Sequence, residues 1–213
     1  MTKVIVDISV SVDGFVAGPN PRLEEPLGDG GEQLHEWAFA LHAWRERHGR
    51  SGGETNPDDA VAQEAIDSVG AHVMGRGMFG GGEGPWGDEP WDGWWGDEPP
   101  FQAPVFVLTH HEREPLVKDG GTTFTFVTDG IESAVEQARA AAGGKDVAVA
   151  GGASAVQQAL NAGLVDEFQV HVAPVFLGGG VRLFDGIDPE LRFEVTRVVD
   201  SPTVTHLRYR VVK

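Results

Sequence analysis

The organisation of this chain is read most directly from Val147-Ala148-Val149-Ala150-Gly151-Gly152-Ala153-Ser154. Asp146 to Ala150 reads as a short buried strand, Gly151-Gly152 breaks it, and a helix follows at once from about Ala153 to Asn161, closed by Gly163. A strand-to-helix turn without side chains lets a ligand approach the backbone. The helix N-terminus behind it offers N–H groups that no intrahelical carbonyl takes, which favours an anion. The same residues equally suit a tight turn that holds nothing.

On either side the signals alternate between strand and helix. Thr122–Val127 alternates Thr and Phe as a strand does. Asp129, with Glu132 three residues on, has capping-box spacing and opens a helix through Ile131, Ala134, Val135 and Ala138 that stops at Gly143-Gly144. Pro104–Thr109 and Ala71–Met74 are short apolar strands, and Lys3–Val10, rich in β-branched residues, opens the fold as another. Ser11–Gly31 reads as loop. From Gln33 to about His48, Leu34, Trp37, Ala38, Leu41 and Trp44 recur at helical spacing, with Arg45, Arg47 and His48 in the last turn, where positive charge suits the dipole. Asn56 as N-cap, Pro57 after it and Asp58 and Asp59 in the first turn mark a second helix, with Val61, Ala62, Ala65, Ile66 and Val69 as its apolar face. Asp166–Val175, Phe193–Val199 and Val204–Val212 close the chain as three strands with no helix between them. The order predicts one α/β domain over residues 1–213. Its central sheet is mixed and mostly parallel, with antiparallel C-terminal strands and helices on both faces.

Composition narrows the partners. A formal net charge of −17 over 213 residues argues against nucleic acid, whose binding rests on Lys and Arg, and against an anionic membrane surface. The absence of Cys excludes disulfides, iron–sulfur clusters, thiolate zinc sites and Cys nucleophiles. No apolar run approaches the roughly 18 residues of a membrane span and no signal-peptide pattern opens the chain, so a cytoplasmic protein is expected. The acid is concentrated. Residues 82–100 consist only of Gly, Pro, Trp, Asp and Glu, with six acids and no basic residue. Within them Trp86-Gly87-Asp88-Glu89-Pro90 recurs as Trp95-Gly96-Asp97-Glu98-Pro99. Four Pro and five Gly exclude a regular helix or central strand, so this is an insertion loop. Trp86, Trp91, Trp94 and Trp95 are costly to leave in water, which implies that the loop folds back on the body or meets a partner subunit. A packed surface loop and a lid over a pocket both satisfy that. No His accompanies the carboxylates, so no metal is expected.

Gly75-Arg76-Gly77-Met78-Phe79-Gly80 matches G-x-G-x-x-G after a strand. A dinucleotide fingerprint also needs a helix opening on those glycines and an acid at a strand end about 20 residues on. Here the glycines run into the Pro/Gly/Trp loop, and Asp97 lies in the repeat. The other segments, taken together, resemble a family. Val12-Asp13-Gly14-Phe15-Val16-Ala17-Gly18 after the first strand, Val73-Met74-Gly75-Arg76 after the second and the Gly151-Gly152 turn look like the three-layer dihydrofolate-reductase fold. Gly163-Leu164-Val165-Asp166-Glu167 followed by Ala173-Pro174-Val175-Phe176-Leu177-Gly178-Gly179-Gly180 is similar to one branch of it. That branch is the reductase domain of the bifunctional riboflavin-biosynthesis deaminase-reductase, a 5-amino-6-(5-phosphoribosylamino)uracil reductase, and its stand-alone relatives. The resemblance spans nearly the whole chain apart from the Gln33–His48 helix and the insert.

The resemblance implies NADPH binding and hydride transfer to a small-molecule substrate. By position, Ser9, Val16 and Ala17 would hold the nicotinamide end, and Gly151, Gly152, Ala153 and Ser154 would face the pyrophosphate. Gly75 and Arg76 would meet the 2′-phosphate side of the adenosine, with Thr109 and His110 sharing that task. A guanidinium fork suits phosphate, although a surface arginine after a strand needs no such role. Asp13 is the acid expected near the substrate, where a carboxyl, or a water it holds, supplies the proton that follows hydride; Asp-Gly is also an ordinary turn. The chain departs from its relatives at Ala150, where the riboflavin reductase commonly carries Glu. It also lacks the Pro-x-Asp/Glu pattern of the folate enzymes, although Glu36 precedes Trp37, and the Cys that a zinc deaminase needs. His35 and His42 lack a third metal partner and are expected to pack or face solvent; His110-His111 reads as loop or phosphate-facing. The Gly178–Gly180 loop and the terminal strands imply a homodimer. The expected function is thus NADPH-dependent reduction of a pyrimidine- or pterin-like heterocycle or a carbonyl. The alternative is a non-catalytic nucleotide-binding or interaction protein that kept the fold.

Overall fold

Strand β1 (Val4–Ser11) opens the structure and is followed by β2 (Phe15–Ala17), a 3-10 turn (Gly31–Leu34), α1 (Glu36–Phe39), α2 (His42–Arg47), α3 (Pro57–Ser68), β3 (Val69–Gly75) and α4 (Arg76–Phe79). Then come β4 (Pro104–Leu108), β5 (Leu116–Val117), β6 (Thr123–Val127), α5 (Ile131–Ala141), β7 (Asp146–Gly151), α6 (Ala153–Asn161), β8 (Glu167–Ala173), β9 (Val181–Arg182), β10 (Arg192–Asp200) and β11 (Thr205–Val212). This computed structural model describes residues 2–22, 24–88 and 91–213; Glu89-Pro90 of the first pentapeptide repeat lies outside them. The chain forms two compact units, one of residues up to Val6 with Val69–Asp166, the other of Asp7–Ser68 with Glu167–Lys213.

In the first unit the strand order is β1-β7-β3-β4-β6-β5, parallel except for the β5–β6 pair. Val4, Val6, Val73, Val105, Val107, Val147 and Val149 are fully buried, as expected of short apolar runs in a parallel sheet. Helix α6 has the predicted bounds. Helix α5 starts one residue later than capping-box spacing suggests: Gly130 is the N-cap, with no side-chain cap bond. The insert has no helix or strand among its described residues. It folds back onto its own unit, where Trp86, Trp91 and Trp95 pack against the Met74, Phe79, Phe101, Val105, Val107 and Phe124 cluster. Lys118, its side chain almost wholly buried, pairs with Asp92 at 2.7 Å and Asp97 at 3.7 Å, so part of the insert's acid is matched locally.

In the second unit β10, β11 and β8 pair antiparallel in the order β10-β11-β8-β1. A separate ribbon of β2 and β9 joins two segments that the sequence shows only as loop. The long helix expected over 33–48 is instead a 3-10 turn, α1 and α2. Of the expected apolar positions Leu34, Ala38 and Leu41 are buried and Trp37 and Trp44 half-buried. What breaks the helix is the returning chain. Glu54 N–H donates to Ala40 O at 2.8 Å and Glu54 O accepts His42 N–H at 2.9 Å, which holds Leu41 extended (φ −69°, ψ 146°). Helix α3 starts as expected, with Asn56 Oδ1 accepting Asp59 N–H at 2.9 Å. Asp58 and Asp59, however, are buried rather than exposed dipole residues. Asp59 Oδ1 accepts Ala43 N–H at 2.8 Å, and Asp58 faces His206.

Candidate functional site

Parallel pairing of β3 with β7 brings Gly75 to Gly151-Gly152. A Cβ on Gly75 would stand 3.8 Å from Gly152 N and 4.0 Å from Gly151 O, whereas a Cβ on Gly152 would meet nothing within 4 Å. The Gly151–Gly152 peptide is cis. Helix α6 opens on Gly152 without a side-chain cap, and the Ala155 and Val156 N–H groups turn to Gly152 O at 3.1 and 3.3 Å. The N–H groups of Ala153 and Ser154, first in the helix, therefore have no ladder partner. Ser154 is exposed, its Oγ accepting Gln158 Nε2–H at 3.0 Å. An open glycine backbone before an uncapped nine-residue helix fits a phosphate group.

Beside it stands a cationic pair. Arg76, first in α4, donates to Gly84 O at 2.6 Å and Gly81 O at 3.4 Å, and its guanidinium lies 3.6 Å from the centre of the Trp86 ring. Arg113 lies 4.8 Å from the same ring and donates to Trp91 O. Among the described residues neither guanidinium has a carboxylate partner, and Arg76 Nε is buried without an acceptor. Burial lowers the proton affinity of both; for Arg113, Asp92 opposes this and the like charge of Arg76 adds to it. Two cations beside one indole, with no salt bridge among the described residues, fit an anion. The insert builds this geometry. Trp91 and Trp94 donate their ring N–H to Phe79 O (2.9 Å) and Met78 O (3.0 Å), satisfying the open end of α4, and Trp86 donates to His111 O at 3.1 Å. Thr109 Oγ1 accepts His111 N–H at 3.2 Å and so closes its own turn; His110 is exposed. Arg113, between Glu112 and Glu114, carries no signal in the sequence beyond a solvated charge run.

The second unit holds the other expected residues. Ser9 is buried and its Oγ accepts Trp37 Nε1–H at 3.2 Å. Val16 is buried, and Ala17 pairs with Val181 in β9, so part of that backbone is already taken. Asp13 accepts Gly178 N–H at 2.8 Å and Leu177 N–H at 3.2 Å. A hydrogen bond from Ser11 and these backbone donors hold its carboxyl below the ordinary range. It is therefore a carboxylate that anchors the 177–178 turn.

Sequence reasoning missed a buried polar chain in this unit. His171 Nε2 lies 2.7 Å from Asp7 Oδ1, its Nδ1 lies 2.6 Å from His206 Nδ1, and His206 Nε2 lies 3.0 Å from Asp58 Oδ1. Gln169 donates to Asp7 Oδ2 at 2.7 Å, and Arg208 donates to Gln169 at 2.7 Å and to Glu64 at 2.5 Å. Burial works to raise the Asp7 carboxyl, but the charge and hydrogen bond of His171 and the bond from Gln169 outweigh it and hold it low. Burial, then the like charge of His171, lowers His206. His35, whose Nδ1 is buried without a partner, is pushed down to about 4 by burial and by His171. Of these residues, the sequence singles out His35 and Asp58, both with bland readings.

Comparison with known proteins agrees with this architecture. The Bacillus subtilis (strain 168) uncharacterized protein YyaP is 23% identical over 209 residues, 95% of this chain and 92% of its own. A putative riboflavin biosynthesis protein from Shewanella sp. PV-4 superposes with a TM-score of 0.63 at 22% identity, over 100% of both chains. The Thermotoga maritima diaminohydroxyphosphoribosylaminopyrimidine deaminase/5-amino-6-(5-phosphoribosylamino)uracil reductase gives 0.56 at 16% identity, covering 99% of this chain but 57% of that longer protein. Dihydrofolate reductase from Enterococcus faecalis, complexed with NADP(H), gives 0.52 at 13% identity over 99% and 97% of the two chains. At these identities the likeness is one of fold: a mixed, mostly parallel α/β sheet of the dihydrofolate-reductase kind. The family model described as the RibD C-terminal domain matches residues 2–207, and the chain belongs to that family.

Proposed function

We propose that the protein is an NADPH-dependent reductase of a small pyrimidine- or pterin-like heterocycle or a carbonyl compound. The observation that carries this reading is the open Gly152 backbone and uncapped α6, beside the Arg76–Arg113 pair, which makes no salt bridge among the described residues. Gly151 to Ser154 take the pyrophosphate, and Gly75, Arg76 and Arg113 the 2′-phosphate side, with His110 at its exposed edge. Ser9, Val16 and Ala17 are assigned to the nicotinamide end by family resemblance. When bound, the cofactor supplies a hydride to a C=O or C=N carbon; the partner atom takes one proton, and substrate, NADPH and H⁺ become reduced substrate and NADP⁺. Asp13 holds the water that brings that proton.

Titration with NADPH and NADH tests this. The parent is expected to prefer NADPH. Arg76→Ala should weaken NADPH about tenfold or more, the worth of a charge-assisted bond to phosphate, with little effect on NADH. Gly152→Val fills the open backbone and should abolish binding of both. A parent that binds neither nucleotide removes the reading. It would favour a non-catalytic interaction protein, for which the engagement of Arg76 by the Gly81 and Gly84 carbonyls already speaks.

A second copy of the chain is the proposed partner. β10 is the edge strand of its sheet and nearly all exposed, with Val195 61% and Val198 55% accessible. An uncovered apolar edge invites pairing. The mass in solution should be that of a dimer, and Val195→Glu should shift it to a monomer; a monomeric parent at tens of micromolar rejects the proposal.

A further inference from the structure

We propose that His171 and His206 share a single proton, and that the protonated pair positions Trp37, and through it Ser9, in the second unit. The role in positioning rests on the reductase reading; the shared proton does not.

Asp7, His171, His206 and Asp58 form three contacts in series at 2.7, 2.6 and 3.0 Å. Each is a hydrogen bond only if it contains one proton, so the series needs three. Two carboxylates and two neutral imidazoles bring two. With only these two protons, either two Nδ1 lone pairs face each other or one Nε2 lone pair faces a carboxylate. With four, two N–H groups point at each other. Only three protons satisfy every contact; with both acids ionised, that is one imidazolium between two carboxylates. The third proton lies in the 2.6 Å contact between the two Nδ1 atoms, where either ring can carry it. A metal does not account for the spacing, since two nitrogens on one tetrahedral zinc stand about 3.3 Å apart.

The surroundings keep this charge in place. Asp7 on β1 and Asp58 on α3 are the carboxylates in contact. Gln169 and Arg208 complete Asp7, Glu64 ties Arg208 to Arg197 on β10, Asp59 is taken by Ala43 N–H, and His35 is neutral. The Trp37 ring lies 4.9 Å from His171 and 5.0 Å from His206, and its indole N–H reaches Ser9 Oγ. The His171 ring is tilted 44° to the indole and the His206 ring stands at 75° to it, so a change in the charge or tilt of the pair is felt at Trp37. Loss of the proton turns either the 2.6 Å Nδ1 contact or one imidazole–carboxylate contact repulsive and shifts the rings beside Trp37.

The test is nitrogen-resolved NMR of the full chain through neutral and alkaline pH, with NADPH titration over the same range. Three ring N–H protons across His171 and His206 are expected, one of them strongly downfield. The Trp37 indole resonance should shift with the midpoint at which that proton is lost, and NADPH affinity should fall at least about fivefold with it. Two neutral rings at neutral pH, or a Trp37 signal indifferent to the titration, overturns the proposal. NADPH affinity flat with pH while the pair titrates overturns the positioning role. A titrating pair that moves Trp37 in a protein that never binds NADPH supports the device and sinks the reductase reading. His206→Gln, where it folds, should lose both the downfield proton and the pH response of Trp37.

Discussion

Gly180→Ala is expected to cost about 3 kcal/mol or more of stability, while Gly179→Ala, one residue away, stays within about 0.5 kcal/mol. At Gly180 (φ +114°) a Cβ would stand 2.1 Å from Ala17 O and 2.6 Å from Gly18 C, both backbone atoms that no rotamer change moves away. At Gly179 it would meet nothing within 4 Å. The cost falls where β2 meets β9, beside the turn that Asp13 holds through Leu177 and Gly178. Urea unfolding of both variants measures the difference. Equal stabilities would mean that the β2–β9 ribbon does not form as described. Among functional readouts, Gly180→Ala should impair whatever binds near Val16 and Ala17, and Gly179→Ala should not.

His35 sets the response to acid. Its folded value of about 4 lies below the ordinary 6.5, so between these values the unfolded chain binds more protons than the folded one. The contribution of His35 is therefore fully present above pH 6.5, falls as the pH drops through that window and is spent near 4, a loss of up to roughly 3 kcal/mol. His206 is shifted in the same direction and adds to it. Replacing His35 with Leu removes a ring whose buried Nδ1 has no partner, so it leaves no new orphan among the described contacts. The variant should lose most of the slope between pH 6.5 and 4 in urea unfolding. A slope as steep as the parent's would show that the acid response comes from elsewhere.

Much of this molecule is written locally. Asn56-Pro57 starts a helix because a side-chain acceptor and a fixed φ act within one turn, and the bounds of α6 follow from a glycine pair and a helical apolar period. Strands β3, β4 and β7 are legible because buried parallel strands are largely apolar, and β6 through its alternation of Thr and Phe. The glycine-rich turn and Arg76 are visible for the same reason: their chemistry lies in consecutive residues. Even where such signals are sound, a neighbour overrides them. The 33–48 helix breaks at Leu41 because Glu54 offers its backbone there, and Asp58 and Asp59 leave solvent because α3 turns them inward.

The rest depends on residues far apart in the chain. Asp7 and His171 are separated by 164 positions, Asp58 and His206 by 148, and no spacing rule joins them. Arg113 becomes half of a cation pair only when Trp86 is laid beside it, and Gly180 becomes indispensable only against Ala17. Short-range propensity and periodicity determine which segments are strands and helices. Which buried charges meet, which proton they share and which glycine admits no side chain are properties of packing, because each is an energy of contact between segments that the order of residues does not bring together.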